Sequence, residues 1–202
     1  MQIIGITGGT GAGKSTAVKA LQSLGAEALD CDSIYHELLS ENSDLISEIS
    51  QQFDAVMSDG KVDRRKLSEI VWNDTESLKK LNSITHKYVS EEIERRISSF
   101  EKLEVKTVAI DAIALIESGQ GKRCEVVIGV VAPQEQRVAR IMNRDNISRE
   151  HALKRINAQQ QEIFYRENCD YILENDYGTE AEFENACSGF FKDILKDKGE
   201  VS

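Results

Sequence analysis

Eight residues near the amino terminus have the types and spacing of an anion-binding loop. They follow an apolar segment, precede a helix-like segment, and read Gly8-Gly9-Thr10-Gly11-Ala12-Gly13-Lys14-Ser15. Glycines let the backbone turn its N–H groups inward around an anion, and the positive end of the following helix points to the same place. A plain glycine-rich turn would leave the Gly-Lys-Ser ending unexplained. The pattern G-x-x-x-x-G-K-S therefore predicts that the chain binds a nucleoside triphosphate.

We call residues 8–15 the phosphate loop. Its Lys14 should reach the β- and γ-phosphates, and the hydroxyl of Ser15 should bind Mg²⁺. ATP and Mg²⁺ are thus the expected co-substrate and cation. The predicted nucleotide-binding residues of this part of the chain are Gly9, Thr10, Gly11, Ala12, Gly13, Lys14, Ser15 and Thr16.

Carboxylates follow two apolar runs that we predict to be strands. Asp30 and Asp32 would point to the same side of an extended segment. One of them could accept the proton of an attacking hydroxyl or hold an Mg²⁺-bound water, or one could cap the next helix. Asp111 ends another apolar run. It is either a second acid that organises Mg²⁺ or the cap of a helix from Ala112 to Glu117.

Three arginines lie on one face of a predicted helix, because Arg137, Arg140 and Arg144 are spaced by three and four residues. The segment 134–166 holds seven positive and four negative residues in a chain of net charge −10. A lid that folds over phosphates needs such a local excess of positive charge. Its closure would expel water and so prevent wasteful hydrolysis of ATP. The alternative is a solvated helix face. We predict a lid at about residues 137–165.

The composition narrows the class of protein. The chain has 202 residues, of which 40% are hydrophobic and 30% charged, as in an ordinary soluble domain. Its negative charge argues against broad binding to nucleic acid or anionic membranes, and no apolar run is long enough to span a bilayer. We expect a cytoplasmic protein with small-molecule substrates, either a monomer or a weak homo-oligomer.

The four cysteines lie far apart, without the spacing of a zinc site or a disulfide framework. Reduced thiols in the cytoplasm are the better interpretation. Two of them fall within apolar patterns and should be buried in the core. The four are Cys31, Cys124, Cys169 and Cys187, of which the second and the fourth are the predicted core residues.

Strand-like and helix-like segments alternate along much of the chain, which predicts an α/β fold around a parallel sheet. The core should comprise residues 1–32 and 105–202 of a single domain, and a helical insertion at about 33–104 should lie over the carboxyl edge of the sheet, where ligands bind. A Thr-x-x-Glu capping box at Thr179 predicts the last helix. Strands are expected at 2–7, 107–111, 124–131 and 171–173, with helices at 14–24, 63–71, 134–143 and 148–161.

The remaining motifs favour a small-molecule kinase. A GTPase should contain the guanine-reading Asn-Lys-x-Asp, which does not occur in the sequence, and a motor ATPase needs a larger domain. A nucleoside or nucleoside-monophosphate kinase of the same fold remains an alternative. A non-catalytic nucleotide-binding module is a third, but it explains neither the Asp-x-Asp nor the arginine face.

The order of the motifs resembles the dephospho-coenzyme A kinase family over nearly the whole chain. Asp-Gly-x-x-Asp-Arg and Asn-x-x-x-His, together with an Asp-x-Asp, are much more specific than the phosphate loop alone. The matching segments are 5–16, 29–34 with Asp30-Cys31-Asp32, Asp59-Gly60-Lys61-Val62-Asp63-Arg64, 81–86 with Asn82 and His86, 140–145, 155–159, and 169–171 with Asn175.

The resemblance implies transfer of the γ-phosphoryl of ATP to the ribose 3′-hydroxyl of dephospho-CoA, the last step of coenzyme A biosynthesis, with Mg²⁺. It implies a three-layer P-loop kinase core, a helical substrate-binding insertion and a helical lid. Asp32 would be the general base on the acceptor. Lys14, Arg140 and Arg144 would stabilise the transferring group, with Arg144 in the nucleotide-binding set. Arg64 and His86 would contact the acceptor, although a histidine there is also typical of helix packing.

The chain departs from the family pattern at four places. Lys87 stands where proline is common, and residues 111–117 replace a frequent Pro-Leu-Leu-x-Glu. Arg137 stands where glutamine is usual, and Cys31 replaces an alanine. These departures leave the phosphate loop and the proposed catalytic residues unchanged.

Overall fold

The computed structural model describes residues 1–54, 56–58 and 60–196, without the side chains of Trp72 and Asn73. Its contacts divide the chain into two compact units. The sheet unit comprises residues 1–29 and the chain from 103 onward, and the helical unit comprises residues 30–102. The sequence Ser58-Asp59-Gly60 is typical of a turn, but Asp59 lies outside the described residues.

The sheet unit is built on a mostly parallel five-stranded sheet, as predicted. Strand β1 is central and pairs in parallel with β5 and β6, and β6 pairs in parallel with β7. The strand order is β2-β5-β1-β6-β7. Their bounds are β1 Gln2–Thr7, β2 Glu27–Asp30, β5 Thr107–Asp111, β6 Val126–Val131 and β7 Tyr171–Glu174.

The two faces of this sheet are filled differently. Ile4 and Ile6 of β1 are fully buried on one face, in a cluster with α1 (Lys14–Gln22) and α9 (Glu180–Lys196). Gly5 lies between them and faces the opposite side of the sheet, because successive residues of a strand alternate. On that side α8 (Glu162–Asn168) packs closely against Gly129 of β6, where a Cβ would lie 3.3 Å from Tyr165. Helices thus cover both faces of the sheet and form the three layers that were predicted.

One helix prediction in the sheet unit is wrong, and another is too long at its C-terminal end. The predicted helix from Ala112 to Glu117 is absent, and residues 113–119 form turns before a short 3₁₀ helix, Gln120–Arg123. The N–H of Ala112 donates to the carbonyl of Ile6, so the ladder of the sheet continues where a helix would have to begin. Asp111 therefore caps no α-helix. The predicted helix at 148–161 is present as α7 (Arg149–Asn157), which ends four residues earlier, and α8 was not predicted.

The helix that carries the three arginines is α6, Gln134–Asp145. It ends where Asn146 adopts a left-handed conformation with φ 51°. Small polar residues such as asparagine tolerate this conformation and commonly terminate helices. The capping box of α9 is formed as predicted, because the Thr179 hydroxyl accepts from the N–H of Glu182 and the Glu182 carboxylate accepts from the N–H of Thr179.

The helical unit is organised around the 28-residue helix α5, Thr75–Lys102. Helices α2 (Cys31–Glu41), α3 (Ser43–Gln52) and α4 (Arg64–Asn73) pack against it. Asp63 caps α4, the helix predicted at 63–71, by accepting from the N–H groups of Arg65 and Lys66. The sequence did not predict the short antiparallel hairpin of β3 (Met57–Ser58) and β4 (Lys61–Val62).

None of the four cysteines, all of which lie in the described ranges, forms a disulfide. Cys187 is buried in the core as expected, whereas Cys124 is only half-buried. Burial raises the pKa of both thiols to about 12. Among the helices of the described ranges, none is both long and apolar enough to cross a membrane.

Candidate active site

The phosphate loop joins β1 to α1 through backbone conformations that only glycine adopts without strain. Gly8, Gly11 and Gly13 have φ angles of 144°, 78° and 112°. A Cβ on Gly8 would overlap the carbonyl of Val130, and one on Gly13 would overlap the side chain of Asn175. The glycine pattern therefore has both a conformational and a steric reason.

Several N–H groups of the loop have no acceptor within the part of the chain that the structure describes. They belong to Gly11, Gly13 and Ser15, whereas the N–H of Ala12 donates to Gly9 (3.1 Å) and that of Thr16 to Gly13 (3.1 Å). The first turn of a helix leaves N–H groups without partners and carries the positive end of the helix dipole. These donors fit the phosphates of a nucleotide.

The side chains of Lys14, Ser15 and Thr16, where the loop passes into α1, differ in their exposure. Lys14 is half-buried and Ser15 is exposed at the start of α1. Thr16 is buried, and its hydroxyl donates to Glu180 of α9 over 3.3 Å. The side chain of Thr16 therefore ties the loop to the fold, and that of Ser15 faces solvent.

Two of the three predicted lid arginines bind the carbonyl groups of the loop. Arg137 Nε donates to the carbonyl of Thr10 over 3.0 Å. Arg140 donates to the carbonyls of Gly11 (3.2 Å) and Ala12 (3.4 Å). Within the described ranges no carboxylate lies within ion-pair distance of Arg137 or Arg140, and partial burial lowers the pKa of both guanidinium groups.

Arg144, one turn further along α6, does not contact the loop. Its exposed guanidinium makes two hydrogen bonds to Asp145, at 2.7 and 2.9 Å. Arg155 of α7 also pairs with Asp145. The two guanidinium groups hold the pKa of Asp145 down to about 2. The structure therefore brings Arg137 and Arg140 to the loop and leaves Arg144 in an ion pair.

Two amide side chains complete the surroundings of the loop. Asn175 is 4% exposed, donates to the carbonyl of Ala12 (2.8 Å) and accepts from Arg140 (3.1 Å). Gln159 accepts from the N–H of Thr10 (2.8 Å) and donates to its hydroxyl (2.7 Å).

Sequence reasoning assigned neither amide a role. A signal existed for Asn175, because it directly follows β7 at the carboxyl edge of a parallel sheet. Gln159 lies in the segment predicted as a helix at 148–161, just after the end of α7, and no feature of the sequence marks its contact with Thr10.

Two oxygen-bearing side chains are the candidates for a cation site. Asp111 is half-buried at the end of β5, in register with Ile6 of β1, and so lies at the same edge of the sheet as the start of the loop. No group of three or more metal-ligating side chains occurs among the described residues. Magnesium in nucleotide sites takes one or two protein ligands besides phosphates and water. The Ser15 hydroxyl and the Asp111 carboxylate fit such a small ligand set.

In the helical unit, the structure separates the roles of the two predicted carboxylates. The prediction that Asp30 and Asp32 share one side of an extended segment is wrong, because helix α2 begins between them. Asp30 caps this helix and accepts from the N–H groups of Asp32 (2.9 Å) and Ser33 (3.3 Å). Asp32 is exposed in the first turn, and its carboxylate makes no hydrogen bond with any described residue.

The other predicted acceptor residues lie on two further helices of this unit. Arg64 is exposed at the start of α4 and contacts His36 Nε2 of α2 over 3.1 Å. Its charge also favours ionisation of Tyr35, although burial has the larger effect and raises the pKa of that phenol. His86 is half-buried on α5, and burial lowers the pKa of its imidazole, which is therefore neutral at pH 7. His36 was not predicted from the sequence.

Comparisons with known proteins identify the family of the chain. The family model described as dephospho-CoA kinase matches residues 2–181. The dephospho-CoA kinase of Dehalococcoides mccartyi is 36% identical over 161 residues, which cover 79% of this chain and 81% of the relative. That of Latilactobacillus sakei is 33% identical over 173 residues, which cover 85% and 86%.

Solved structures lead to the same family. A Thermus thermophilus protein superimposes with a TM-score of 0.80 at 33% identity and covers 96% of this chain and 97% of its own. The dephospho-CoA kinase of Campylobacter jejuni has a TM-score of 0.72 at 29% identity, with 98% and 100% covered. A shikimate kinase from Acinetobacter baumannii, at 17% identity and a TM-score of 0.56, shares the fold. The chain belongs to the dephospho-CoA kinase family and is a P-loop phosphotransferase of coenzyme A biosynthesis.

Proposed function

We propose that the chain transfers the γ-phosphoryl of ATP to the ribose 3′-hydroxyl of dephospho-CoA and so forms coenzyme A. The observation that carries this proposal is the phosphate loop, which has N–H donors without acceptors among the described residues and whose carbonyl groups accept hydrogen bonds from two guanidinium groups. The family match of the chain spans residues 2–181. Phosphoryl transfer needs mainly positioning and charge stabilisation, which such a loop supplies.

The nucleotide side of the site consists of the loop residues Gly9 to Ser15 and of Thr16, the next residue of α1. The N–H groups of Gly11, Gly13 and Ser15 would hold the phosphates, and the ammonium group of Lys14 would neutralise the transferring phosphoryl. Mg²⁺ would enter with ATP and offset the charge of its phosphates. Ser15, with Asp111 as the second candidate, would hold this cation.

The acceptor side would be served by Asp32. Asp30 is engaged as the cap of α2, whereas the Asp32 carboxylate is exposed and makes no hydrogen bond with the described residues. An acceptor hydroxyl could therefore reach it, and a carboxylate within hydrogen-bond distance can take the proton during attack. We assign Asp32 as the general base and also as an acceptor-binding residue.

Arg64 and His86 are the other proposed acceptor-binding residues. The guanidinium of Arg64 is exposed and suited to an anionic group of dephospho-CoA, and the neutral imidazole of His86 can donate or accept a hydrogen bond. The contact between Arg64 and His36 would orient the guanidinium before the acceptor binds.

Arg140 and Arg144, the two arginines of the predicted lid that belong to the proposed site, would act differently. Arg140 would add its charge to the phosphate site while it holds the carbonyls of Gly11 and Ala12. Arg144 would have to leave Asp145 to reach the nucleotide, which would make it a residue of the closed lid.

We further propose that the enzyme works in the cytoplasm as a monomer or weak homo-oligomer, with no nucleic-acid or membrane partner. Four reduced cysteines fit a reducing compartment, and a net charge of −10 disfavours polyanionic partners.

A coupled assay of ATP consumption tests the function. Dephospho-CoA should be phosphorylated far faster than UMP, CMP or nucleosides, and mass spectrometry with fragmentation should locate the new phosphate at the ribose 3′ position. Equal or faster phosphorylation of UMP or CMP would indicate a nucleoside-monophosphate kinase instead. Tight ATP binding without turnover of any acceptor would indicate a regulatory module.

A further inference from the structure

Thr10 of the phosphate loop is held at every polar group by two side chains. Its N–H donates to Gln159 Oε1 (2.8 Å), its hydroxyl accepts from Gln159 Nε2 (2.7 Å), and its carbonyl accepts from Arg137 Nε (3.0 Å). Arg137 Nη2 also donates to Gln159 Oε1 over 3.3 Å, so the two side chains bind each other. We call Arg137 and Gln159 together the Thr10 clamp.

The guanidinium of Arg137 lies directly against the loop. A Cβ on Gly9 would overlap its Nη2 atom, so the glycine makes room for the charge. The acidic groups that act on it electrostatically are Glu162 and the phenol of Tyr165, and neither forms an ion pair with it. An arginine stays protonated even when burial lowers its pKa. Its charge is therefore not neutralised by an ion pair with any carboxylate of the described ranges.

The clamp acts at the place where the loop must be ordered. Gly11, which carries one of the N–H donors, directly follows Thr10, and glycine-rich backbone loses more conformational entropy on ordering than any other. A loop that is already fixed pays less of this cost when its ligand binds. A nearby desolvated positive charge also attracts a polyanion, with an energy that salt screens.

We propose that Arg137 is a positioning residue that sets the affinity of the site for the triphosphate, by fixing Thr10 and by adding an unneutralised charge. The inference rests on the proposed function only in that the phosphate loop binds ATP. A glutamine at this position can donate to the Thr10 carbonyl without a charge. The substitution to glutamine therefore isolates the contribution of the charge.

The test measures binding by titration calorimetry with ATP and with inorganic tripolyphosphate, neither of which requires the acceptor. Arg137→Met removes the charge and the hydrogen-bond donors. Arg137→Gln removes the charge but keeps a donor. Arg137→Lys keeps the charge but lacks the planar guanidinium group. Arg149→Gln is the matched control, because Arg149 also lies in the lid region but forms an exposed ion pair with Glu135. Thermal unfolding is measured for each.

Arg137→Met should weaken the binding of both polyanions by about 10- to 100-fold, the size of a lost charged hydrogen bond. Arg137→Gln should weaken it by a smaller factor and reduce the dependence of the ATP Kd on salt. Arg137→Lys should recover the salt dependence but not the full affinity. The KM for dephospho-CoA should not change, and Arg149→Gln should bind both polyanions like the wild type.

Wild-type Kd values and salt dependence in Arg137→Gln would overturn the charge contribution, even if Arg137→Met fails to fold. A lower melting temperature of Arg137→Met with unchanged binding would show a purely structural role and overturn the proposal. An enzyme that binds ATP with the expected Arg137 effects but does not phosphorylate dephospho-CoA would refute the proposed function and leave this inference standing.

Discussion

The candidate residues of the two units are held in different ways. In the sheet unit, a single loop is bound by side chains from α6, from the connection after α7 and from the end of β7, and most of its carbonyl groups are hydrogen-bonded. In the helical unit, the candidates Asp32, Arg64 and His86 come from three different helices, and the Asp32 carboxylate has no partner among the described residues.

This difference implies different costs of substitution. A change around the phosphate loop removes hydrogen bonds of the folded protein together with a ligand contact, so it should affect both stability and nucleotide binding. A change at an exposed polar side chain of the helical unit removes little from the fold. It should alter turnover or acceptor binding alone.

The largest effect is expected from Asp32→Asn. Loss of a general base should lower kcat with dephospho-CoA by about 10²- to 10⁴-fold, while the ATP Kd and the melting temperature stay unchanged because the carboxylate is exposed. Steady-state kinetics and calorimetry measure the three quantities. Asp30→Asn is the matched control, since asparagine is also a good helix cap; an equal loss of turnover in that control would contradict the separation of roles.

Lys14→Ala should come next. Loss of one charge-stabilising group at the transferring phosphoryl should lower kcat/KM for ATP by about 10²- to 10³-fold, with circular dichroism showing a folded chain. Lys19→Ala on the same helix removes an exposed lysine paired with Glu180 and should be nearly neutral. A wild-type rate in Lys14→Ala would remove the proposed role of the loop.

Two substitutions on α6 compare an arginine that binds the phosphate loop with one that does not. Arg140→Met loses bonds to Gly11, Ala12 and Asn175. It should weaken ATP binding by about 10- to 100-fold and lower the free energy of unfolding by about 1–3 kcal/mol. Arg144→Met should leave both nearly unchanged, because its pair with Asp145 is exposed.

Turnover decides the remaining role of Arg144. A lower kcat in Arg144→Met with an unchanged ATP Kd would support its movement onto the nucleotide in a closed lid. Equal ATP Kd values for the Arg140 and Arg144 variants would refute the distinction between them.

The smallest effect is expected from Arg64→Met. Removing one exposed guanidinium from the acceptor side should raise the KM for dephospho-CoA by about 10-fold and change the free energy of unfolding by less than about 0.5 kcal/mol. Arg65→Met is the control, because Arg65 is adjacent, exposed and paired with Glu69. A raised KM for ATP in Arg64→Met would break the assignment of this residue to the acceptor.

Much of the fold could be predicted because its signals are local. The buried strands β1 and β6 are continuous apolar runs, and the capping box at Thr179 marks the start of α9. Two predictions failed for different reasons. A tertiary hydrogen bond from the N–H of Ala112 to Ile6 continues the sheet where a helix was expected. A local hydrogen bond ends the extended segment at Asp30, because the side chain of this residue caps α2.

The sequence by itself determined the phosphate loop, its glycines and its position before a helix, because backbone angles and helix ends depend on neighbouring residues. It also placed three arginines on one helical face. Only the tertiary structure decided which of them reach the loop: Arg137 and Arg140 bind its carbonyls, and Arg144 binds Asp145. Contacts such as that of Asn175 with Ala12, 163 residues apart, leave no periodic pattern in a sequence, because packing alone brings the two residues together.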